Sequence, residues 1–495
     1  MNKTTIKNLK HHSARSGLIT LVGQLSKLIL NIISIAILSR ILSPKDFGLV
    51  AMVAVVMSFI SIFKDLGLSM ATIQKTDITS PQVSALFWVG LLLSFVLAGT
   101  TFFIAPAIAD FYKEPHLILV TELLSVTFIF SGLGAQQDAL LRREMRLTAI
   151  TFIDLFSMVI GVVTAVVCAL NGMGYWALVW MQIVSSATNA IGLWLASRWI
   201  PSWSFIGTGI RPMLFFGGHL TIFGFFNFFS RNLDNFLIGR YCGAKDLGLY
   251  SRAYSLILLP ITQITGPITS IAIPVLSHLK EQPERYRRYY LKGIRVIAYA
   301  SFLMITSLLV LSSEIFQLVL GDQWVEAVPI FRVLAIASFF QPIGSTVGWL
   351  YISLGQSKRM AFWGIITSPL VMLSFVVGIY WGAIGVAIAY AICSTLLIYP
   401  QIIFATKKSP ISQFDVYRVI SRPFLLSIFF GFFIASFNHF INVDSLFLNI
   451  VYSLSGGLFM LGIVAWGWRA VRIDFFEMFD DFHHALKKAP PEVIS

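Results

Sequence analysis

The chain has 495 residues, of which 57% are hydrophobic and 12% are charged, about half the charged share of a soluble domain. Apolar runs of about 20 residues, the length an α-helix needs to cross a bilayer, recur along the whole chain. This composition excludes a soluble protein, and it excludes a β-barrel, whose strands would alternate over segments of about ten residues. It predicts an all-α polytopic membrane protein.

A net charge of +13 would suggest a nucleic-acid partner in a soluble protein. In a membrane protein, however, basic residues concentrate on the cytoplasmic side, so we expect no nucleic-acid partner. The three cysteines, Cys168, Cys242 and Cys393, are too far apart for a zinc or disulfide pattern, and we expect neither a metal nor a cofactor. The first apolar run lacks a small-residue cleavage site, which favours a retained helix over a signal peptide.

Fourteen spans are predicted in chain order, as a bundle of two six-helix lobes followed by two C-terminal helices. The spans are placed at 17–39, 48–68, 83–109, 117–140, 148–170, 175–197, 212–238, 248–275, 293–312, 327–354, 360–381, 384–405, 423–441 and 445–467. The predicted regions are a cytoplasmic N-terminus (1–16), an N-lobe (17–197), a linker (198–211), a C-lobe (212–405), a second linker (406–422), the last two spans (423–467) and a cytoplasmic amphipathic tail (468–495).

The distribution of basic residues supports this order of spans. With the N-terminus inside, 27 of the 36 Lys and Arg residues fall in inward segments and five in outward segments, while four lie within spans. Such a bias is typical of cytoplasmic segments, and a missed span would invert it. Both termini are therefore predicted to be cytoplasmic.

A 12-residue segment occurs twice, at 38–49 and 238–249, each time between two apolar segments. A repeat of such long period is typical of gene-duplicated transporters. Because six spans separate the copies, the two halves share one orientation, which predicts a pseudo-two-fold axis along the membrane normal. The identical pairs are Arg40/Arg240, Lys45/Lys245, Asp46/Asp246, Gly48/Gly248 and Leu49/Leu249.

Polar residues precede both copies on one helix face, at spacings of three and four. Because spans 1 and 7 would face each other across the axis, we expect these residues to line one central cavity. They are Gln24, Lys27, Asn31 and Ser34 in the first half, and Gly224, Asn227, Arg231 and Asp234 in the second.

Charged residues within spans give the candidate binding site, because a charge at bilayer depth must face protein or water. Lys27 lies about 15 Å from either membrane surface, too deep to snorkel easily. The cavity is predicted to be basic, and buried positive charge selects an anion, most commonly phosphate. The predicted substrate-binding residues are Lys27, Asn31, Asn227, Arg231, Asp234 and Arg252.

Structural explanations for the same residues stay open. Arg231 and Asp234 are three residues apart and can pair with each other. Arg252 lies near an outer span end, where its side chain can snorkel to the interface. Asp154 lies near a span end and is expected to cap a helix or form an ion pair.

The two repeat copies are predicted to act as hinges of an outer gate. Glycines at positions 48 and 248 would let the backbone turn there. Span 8 contains Pro260, Pro267 and Pro274, which predict a bend or break, although a static packing kink is the alternative. The predicted gate and hinge residues are Arg40, Lys45, Asp46, Gly48, Arg240, Lys245, Asp246, Gly248, Gly266 and Pro267.

Two segments are expected at the cytoplasmic membrane surface. The stretch 278–295 is rich in basic residues and predicts an interfacial helix against anionic lipid. The tail places Phe475, Phe479, Phe482 and Leu486 at helical spacing, which predicts an amphipathic helix.

The segment 216–264 resembles the pattern of Wzx-type oligosaccharide flippases, within the superfamily that also contains multidrug exporters and the lipid II flippase. The first half, with the segments 38–49 and 65–75, is similar to the branch that contains colanic acid and teichuronic acid exporters. The positions that carry the pattern are Asp234, Ile238, Gly239, Gly243, Leu247, Gly248, Tyr250, Ala253, Tyr254 and Pro260.

The resemblance implies a flippase in a bacterial inner membrane. It would export an undecaprenyl-diphosphate-linked sugar repeat unit for exopolysaccharide, capsule or O-antigen assembly by alternating access, with a polysaccharide polymerase and chain-length machinery as further partners. The alternative is a cation-coupled multidrug-type antiporter of the same superfamily, which Asp234 favours and Lys27 opposes. The sequence contains no Walker loop, HExxH motif or nucleophile elbow, so no enzyme activity is expected. A membrane polymerase and a non-transporting scaffold are the remaining alternatives.

Overall fold

A computed structural model describes residues 3–64, 68–74, 78–203, 228–440 and 445–487. Helices and turns account for these ranges, and no strand occurs in them, as the all-α prediction requires. The chain forms two compact units, Met1–Ser251 and Arg252–Ser495. The predicted lobe boundaries stay predictions.

Within the described residues, the first unit contains nine helices and the start of a tenth. Proline at the first helical positions begins α2, α4 and α5, where its missing N–H costs nothing. The helices are α1 (Lys3–Ile41), α2 (Pro44–Ser61), α3 (Leu68–Gln74), α4 (Ser80–Phe103), α5 (Ala105–Tyr112), α6 (Leu117–Arg143), α7 (Leu147–Leu170), α8 (Trp176–Ser197), α9 (residues 228–241) and the start of α10 (Ala244–His278).

The part of the second unit that the structure describes contains the rest of α10 and nine further α-helices, with two short 3₁₀ helices at Asp322–Ala327 and Ile379–Trp381. The α-helices are α11 (Pro283–Val310), α12 (Ser312–Val319), α13 (Val328–Ser338), α14 (Gln341–Ser353), α15 (Ser357–Gly378), α16 (Gly382–Thr406), α17 (Gln413–Phe440), α18 (Leu446–Gly467) and α19 (Arg469–Lys487).

Twelve stretches of the described residues are long and apolar enough to cross a membrane. One of them, Ser357–Thr406, contains two separate helices, α15 and α16. Much of the outer surface is apolar; Phe103 and Leu195, for example, are 80% and 73% exposed. Such a surface identifies a multi-pass membrane protein. The count of fourteen stays a prediction, since part of predicted span 7 lies outside the described residues.

Two local predictions differ from the structure. Helix α10 runs without interruption through Pro260, Pro267 and Pro274, so the predicted break does not occur. The basic stretch 278–295 is not a separate helix, because residues from Pro283 onward belong to α11. Tyr286, Tyr290 and Ile294 are buried on one face and continue the packing of the apolar part of α11.

A buried ion network fixes α19 to the second unit. The Asp474 carboxylate is 4% exposed and lies 3.1 Å from Arg295 Nη1 and 3.2 Å from Arg422 Nη1. It also accepts a hydrogen bond from Tyr299 Oη at 3.1 Å. Three donors offset the desolvation of this carboxylate. A helix is thus present at Arg469–Lys487, within the predicted tail, and its cytoplasmic placement stays a prediction.

Candidate substrate cavity

A polar cavity of about 950 Å³ lies within the first unit, between α1, α2, α3, α6, α7 and α8. Its charged lining residues are Lys27, Lys64, Asp138, Arg142 and Asp154. Its uncharged polar lining residues are Asn31, Ser34, Ser58, Ser61, Ser69, Thr127, Ser131, Ser157, Gln182, Ser185, Ser186 and Asn189.

Helical periodicity produces this lining. On α8, Gln182, Ser185, Ser186 and Asn189 follow spacings of three and four, which place them on one face. Three of the four residues in the predicted stripe on α1 behave in the same way, since Lys27, Asn31 and Ser34 line the cavity, whereas Gln24 is not among its lining residues. A polar face inside an otherwise apolar helix is stable only where it meets protein or water.

Lys27 forms the central ion pair of the cavity. Its Nζ lies 2.6 Å from Asp154 Oδ2 on α7, with the two side chains 40% and 31% exposed. The other oxygen, Asp154 Oδ1, accepts from Asn189 Nδ2 at 3.0 Å. One turn before Lys27, Gly23 faces Thr151 so closely that no Cβ would fit. This close approach of α1 and α7 brings Lys27 within reach of Asp154.

A second ion pair and the contact made by Lys64 both involve helix α6. Arg142 Nε donates to Asp138 Oδ2 at 2.7 Å, one turn earlier on α6. Lys64, just after α2, donates to the Ser131 hydroxyl. The cavity therefore contains three cations and two carboxylates, and its positive excess is smaller than the sequence predicted.

An apolar cavity of about 610 Å³ lies on the opposite side of α2, between α2, α4, α5 and α9. Ala54, Met57, Ser58 and Ser61 line the polar cavity, whereas Val56, Phe59, Ile60 and Phe63 line the apolar one. The two sets are offset by two residues, about 200° around a helix, so they occupy opposite faces.

Asp234 is placed away from the polar cavity. It is 3% exposed on α9 and accepts from Tyr250 Oη at 2.9 Å and from the Asn235 backbone N–H at 2.8 Å. Its partner is thus Tyr250 on α10 rather than Arg231, which is exposed. The open alternative of an Arg231–Asp234 pair is wrong.

The remaining predicted binding residues are not in the cavity. Asn227 lies outside the described residues. Arg252 belongs to the second unit, whereas every residue that lines the polar cavity belongs to the first. The structure thus places Lys27 and Asn31 together and leaves Arg231, Asp234 and Arg252 elsewhere.

The two repeat copies meet at their glycines. A Cβ at Gly48 would overlap the Ala244 carbonyl oxygen, and a Cβ at Gly248 would overlap that of Pro44. The Cβ added at Gly248 would also lie 3.1 Å from Gly48 N. Since Pro44 and Ala244 are repeat equivalents, the contact is reciprocal. We call this contact the glycine crossing.

The role of the two glycines differs from the prediction. Gly48 lies inside α2 and Gly248 inside α10, and neither has a positive φ. They do not turn the chain but permit backbone-to-backbone contact. Within the two repeat copies, the residue with a positive φ is Gly243, with φ 89°, in the turn before α10.

The turns before the crossing are built differently. Ser43 and Asp46 form a capping box, in which Asp46 N–H donates to Ser43 Oγ at 3.3 Å and Ser43 N–H donates to Asp46 Oδ2 at 2.9 Å. The second turn uses Gly243 at the position of Ser43. Arg240 lies over the Phe111 ring at 5.8 Å, and Gly239 packs against Tyr112. A Cβ added at Gly266 would meet open space.

Several cavity residues were not identified from the sequence. Lys64 and Arg142 were counted only as inward charges, and Asp154 as a cap or partner near a span end. The stripe on α8 was visible as polar residues at helical spacing within an apolar span. Within the described residues, no group of three or more His, Cys, Asp or Glu is placed to hold a metal ion.

Comparison with known families matches the chain to the family described as "Polysaccharide biosynthesis protein", over residues 37–329. This range covers more than half of the chain and contains both repeat copies.

Individual proteins resemble the chain over most of their length. The teichuronic acid biosynthesis protein TuaB of Bacillus subtilis is 27% identical over 75% of this chain and 78% of its own. The lipopolysaccharide biosynthesis protein WzxC of Escherichia coli is 24% identical over 81% and 82%. Among solved structures, the lipid II flippase MurJ superposes with a TM-score of 0.72 at 14% identity, covering 92% of this chain and 99% of its own. That likeness shows a shared fold.

Proposed function

The chain belongs to the polysaccharide biosynthesis protein family, and we propose that it flips an undecaprenyl-diphosphate-linked oligosaccharide repeat unit across the bacterial inner membrane. The relatives are described as polysaccharide biosynthesis proteins. The observation that carries the proposal is the polar cavity inside a body with an apolar surface. A membrane-embedded protein keeps such a cavity only for something polar that would otherwise have to enter lipid.

In this proposal the cavity accommodates the polar head group while the lipid chain stays in an apolar environment. Lys27 and Asn31 contact the head group, and the Lys27 ammonium is the proposed contact to the diphosphate. To reach it, a phosphate oxygen must replace Asp154 as the partner of Lys27. Arg231, Asp234, Arg252 and Asn227 stay as proposed contributors.

The glycine crossing is the proposed outer gate of an alternating-access cycle. Backbone contact through Gly48 and Gly248 holds the starts of α2 and α10 together. A sugar head group needs these helix starts to separate before it can leave. Arg40, Lys45 and Asp46, with Arg240, Lys245 and Asp246, belong to the gate in this proposal, and Gly266 and Pro267 to its moving helix.

The orientation follows from the charge bias. Both termini are proposed to be cytoplasmic, with the basic start of α11 and the tail helix α19 at the inner surface. A polysaccharide polymerase and chain-length machinery are proposed partners on the export pathway. Reporter fusions at Lys113 and Gly321 should report outside, and fusions at Arg143 and Arg287 should report inside.

The test uses the purified chain in proteoliposomes with a labelled polyprenyl-diphosphate oligosaccharide in the outer leaflet. Flipping makes the label inaccessible to an added glycosidase at a rate that depends on the protein. Heat-inactivated protein is the control. A rate no greater than that control would overturn the proposal. Uptake of an amphiphilic cation in exchange for protons, with no lipid flipping, would support the antiporter alternative.

A further inference from the structure

We propose that the polar cavity is an acceptor-lined saccharide subsite, which recognises sugar residues through their unsubstituted hydroxyl and N–H groups. This proposal rests on the proposed function and specifies which part of the substrate the cavity binds and by which chemistry. It derives from the direction of the hydrogen bonds within the lining.

Several of the cavity hydroxyls donate to backbone carbonyls of the helices. Thr127 Oγ1 donates to Leu124 O at 2.6 Å, Ser61 Oγ to Ser58 O at 2.7 Å and Ser157 Oγ to Asp154 O at 3.0 Å. A carbonyl oxygen can only accept, so each hydroxyl must be the donor. The lone pairs of these hydroxyls are left as acceptors toward the cavity.

Three strong donors of the cavity are engaged in the same way. Lys27 and Arg142 donate to carboxylates, and Asn189 Nδ2 donates to Asp154. Their partners, Asp138 and Asp154, add further acceptor oxygens to the lining. The part of the wall formed by these residues therefore offers acceptor oxygens to a ligand, and each of its two carboxylates is paired with a cation.

Such a wall complements a ligand with many donors and little charge. A saccharide carries a hydroxyl on most ring carbons, and each hydroxyl can donate one proton. An isolated anion offers only acceptors, and toward this wall it would have to displace existing pairs. The bulk of the cavity therefore suits the sugars, and Lys27 stays the proposed contact for the phosphate that links them to the lipid.

The chain offers a matched pair of threonines for a test. Thr127 lines the cavity, whereas Thr164 on α7 does not, and both donate to a carbonyl of their own helix. Thr→Val removes the hydroxyl with little change in shape. Thr127→Val and Thr164→Val therefore differ in cavity exposure but share the loss of an intrahelical bond.

Binding would be measured in nanodiscs with three ligands: the lipid-linked oligosaccharide, the same molecule fully O-methylated, and polyprenyl diphosphate without sugar. Wild-type protein should bind the free saccharide more tightly than the methylated one, on the order of threefold to tenfold per donor lost. Thr127→Val should weaken binding of the free saccharide by about threefold to tenfold and leave the affinity for polyprenyl diphosphate unchanged. Thr164→Val should change neither.

Two results would overturn the subsite. One is equal affinity of wild-type protein for free and methylated saccharide, which would mean that the ligand does not donate to the wall. The other is an equal loss for Thr127→Val with all three ligands, which would mean that the hydroxyl acts on the fold or the lipid. Failure of the wild-type protein to bind any polyprenyl diphosphate ligand would instead count against the proposed function.

Discussion

The two repeat copies share the glycine contact and three charged residues, at positions 40, 45 and 46 of the first copy, and they differ in the polar contacts upstream of them. Both place a glycine against the backbone of the other copy, at Gly48 and Gly248. Upstream of the first, Lys27 reaches across to Asp154 in a half-exposed pair beside a cavity. Upstream of the second, Asp234 is buried and bonds to Tyr250 on the next helix.

The difference separates two tasks. The shared feature is a contact between backbone atoms. On α1, the ion pair of Lys27 faces a cavity, where it is accessible to a ligand. Asp234 on α9, the repeat equivalent of Ser34, is buried and joins α9 to α10. The repeat equivalent of Lys27, Asn227, lies outside the described residues.

The largest expected effect comes from locking the crossing. Lys45 and Lys245 are exposed repeat equivalents one turn before it, and Gly243 is unsuitable because its positive φ would strain a cysteine. In a background with serine at Cys168, Cys242 and Cys393, Lys45→Cys with Lys245→Cys should be joined by a short cleavable thiol cross-linker. Export should then stop completely and recover after cleavage.

Each single cysteine variant, treated with the same reagent, serves as the control for that experiment. Efficient cross-linking with undiminished export would show that the helix starts never separate, and the alternating-access proposal would have to be abandoned.

The second-largest effect is expected from adding a methyl group at the glycine crossing. Gly48→Ala or Gly248→Ala inserts a Cβ into backbone atoms that cannot rotate away, and such overpacking costs about 1–3 kcal/mol or more. We expect the cross-link yield and the export rate to fall, by about tenfold to a hundredfold. The matched control is Gly99→Ala on α4, where the added Cβ meets open space. A crossing that tolerates both alanines would contradict the backbone contact described here.

The two members of the cavity ion pair should act in opposite directions. Lys27→Ala removes a charge-assisted contact and should weaken binding of polyprenyl diphosphate by about tenfold to a hundredfold. Asp154→Asn leaves Lys27 without the carboxylate that a phosphate must displace, and should tighten binding by about threefold to tenfold. Isothermal titration in detergent measures both.

Lys358→Ala, an exposed lysine of the second unit, controls for the loss of one positive charge. If Lys27→Ala and Asp154→Asn weaken binding equally, the pair acts as a structural unit and Lys27 is not a phosphate contact.

The smallest expected effect concerns the closed side of the comparison. Tyr250→Phe removes a donor from the buried Asp234 carboxylate, which should lower the free energy of unfolding by about 1–3 kcal/mol. Denaturant unfolding in detergent micelles measures it. Tyr241→Phe, at a tyrosine that is 69% exposed, should change stability by less than about 0.5 kcal/mol. Equal effects of the two substitutions would mean that the Tyr250 hydroxyl does not hold α9 to α10.

The features predictable from the sequence were the periodic and repeated ones. Run length predicted the all-α membrane fold, and the 200-residue offset predicted that 38–49 and 238–249 correspond. The stripe of Lys27, Asn31 and Ser34 lines a cavity because a helix carries spacings of three and four onto one face. Each of these follows from local geometry.

What could not be predicted depends on which helices become neighbours. Asp154 lies 127 residues from Lys27, and only the close packing of α1 against α7 at Gly23 brings them together. The same holds for Asp234, whose partner Tyr250 is on the next helix rather than one turn away. The glycines at 48 and 248 were noticed as turn formers, because a one-dimensional pattern cannot show that two backbones touch.

Helix α2 has hydroxyl groups toward one cavity and phenyl rings toward the other, and this restricts how it can move. A roll about its own axis by half a turn would place Phe59 and Ile60 in the polar space, at about 1.5–3 kcal/mol for each side chain. Tilting or translating the helix carries no such penalty, since each face keeps its surroundings. In the proposed transport cycle we therefore expect α2 to tilt or shift without such a roll, because the two spaces that it separates differ in polarity.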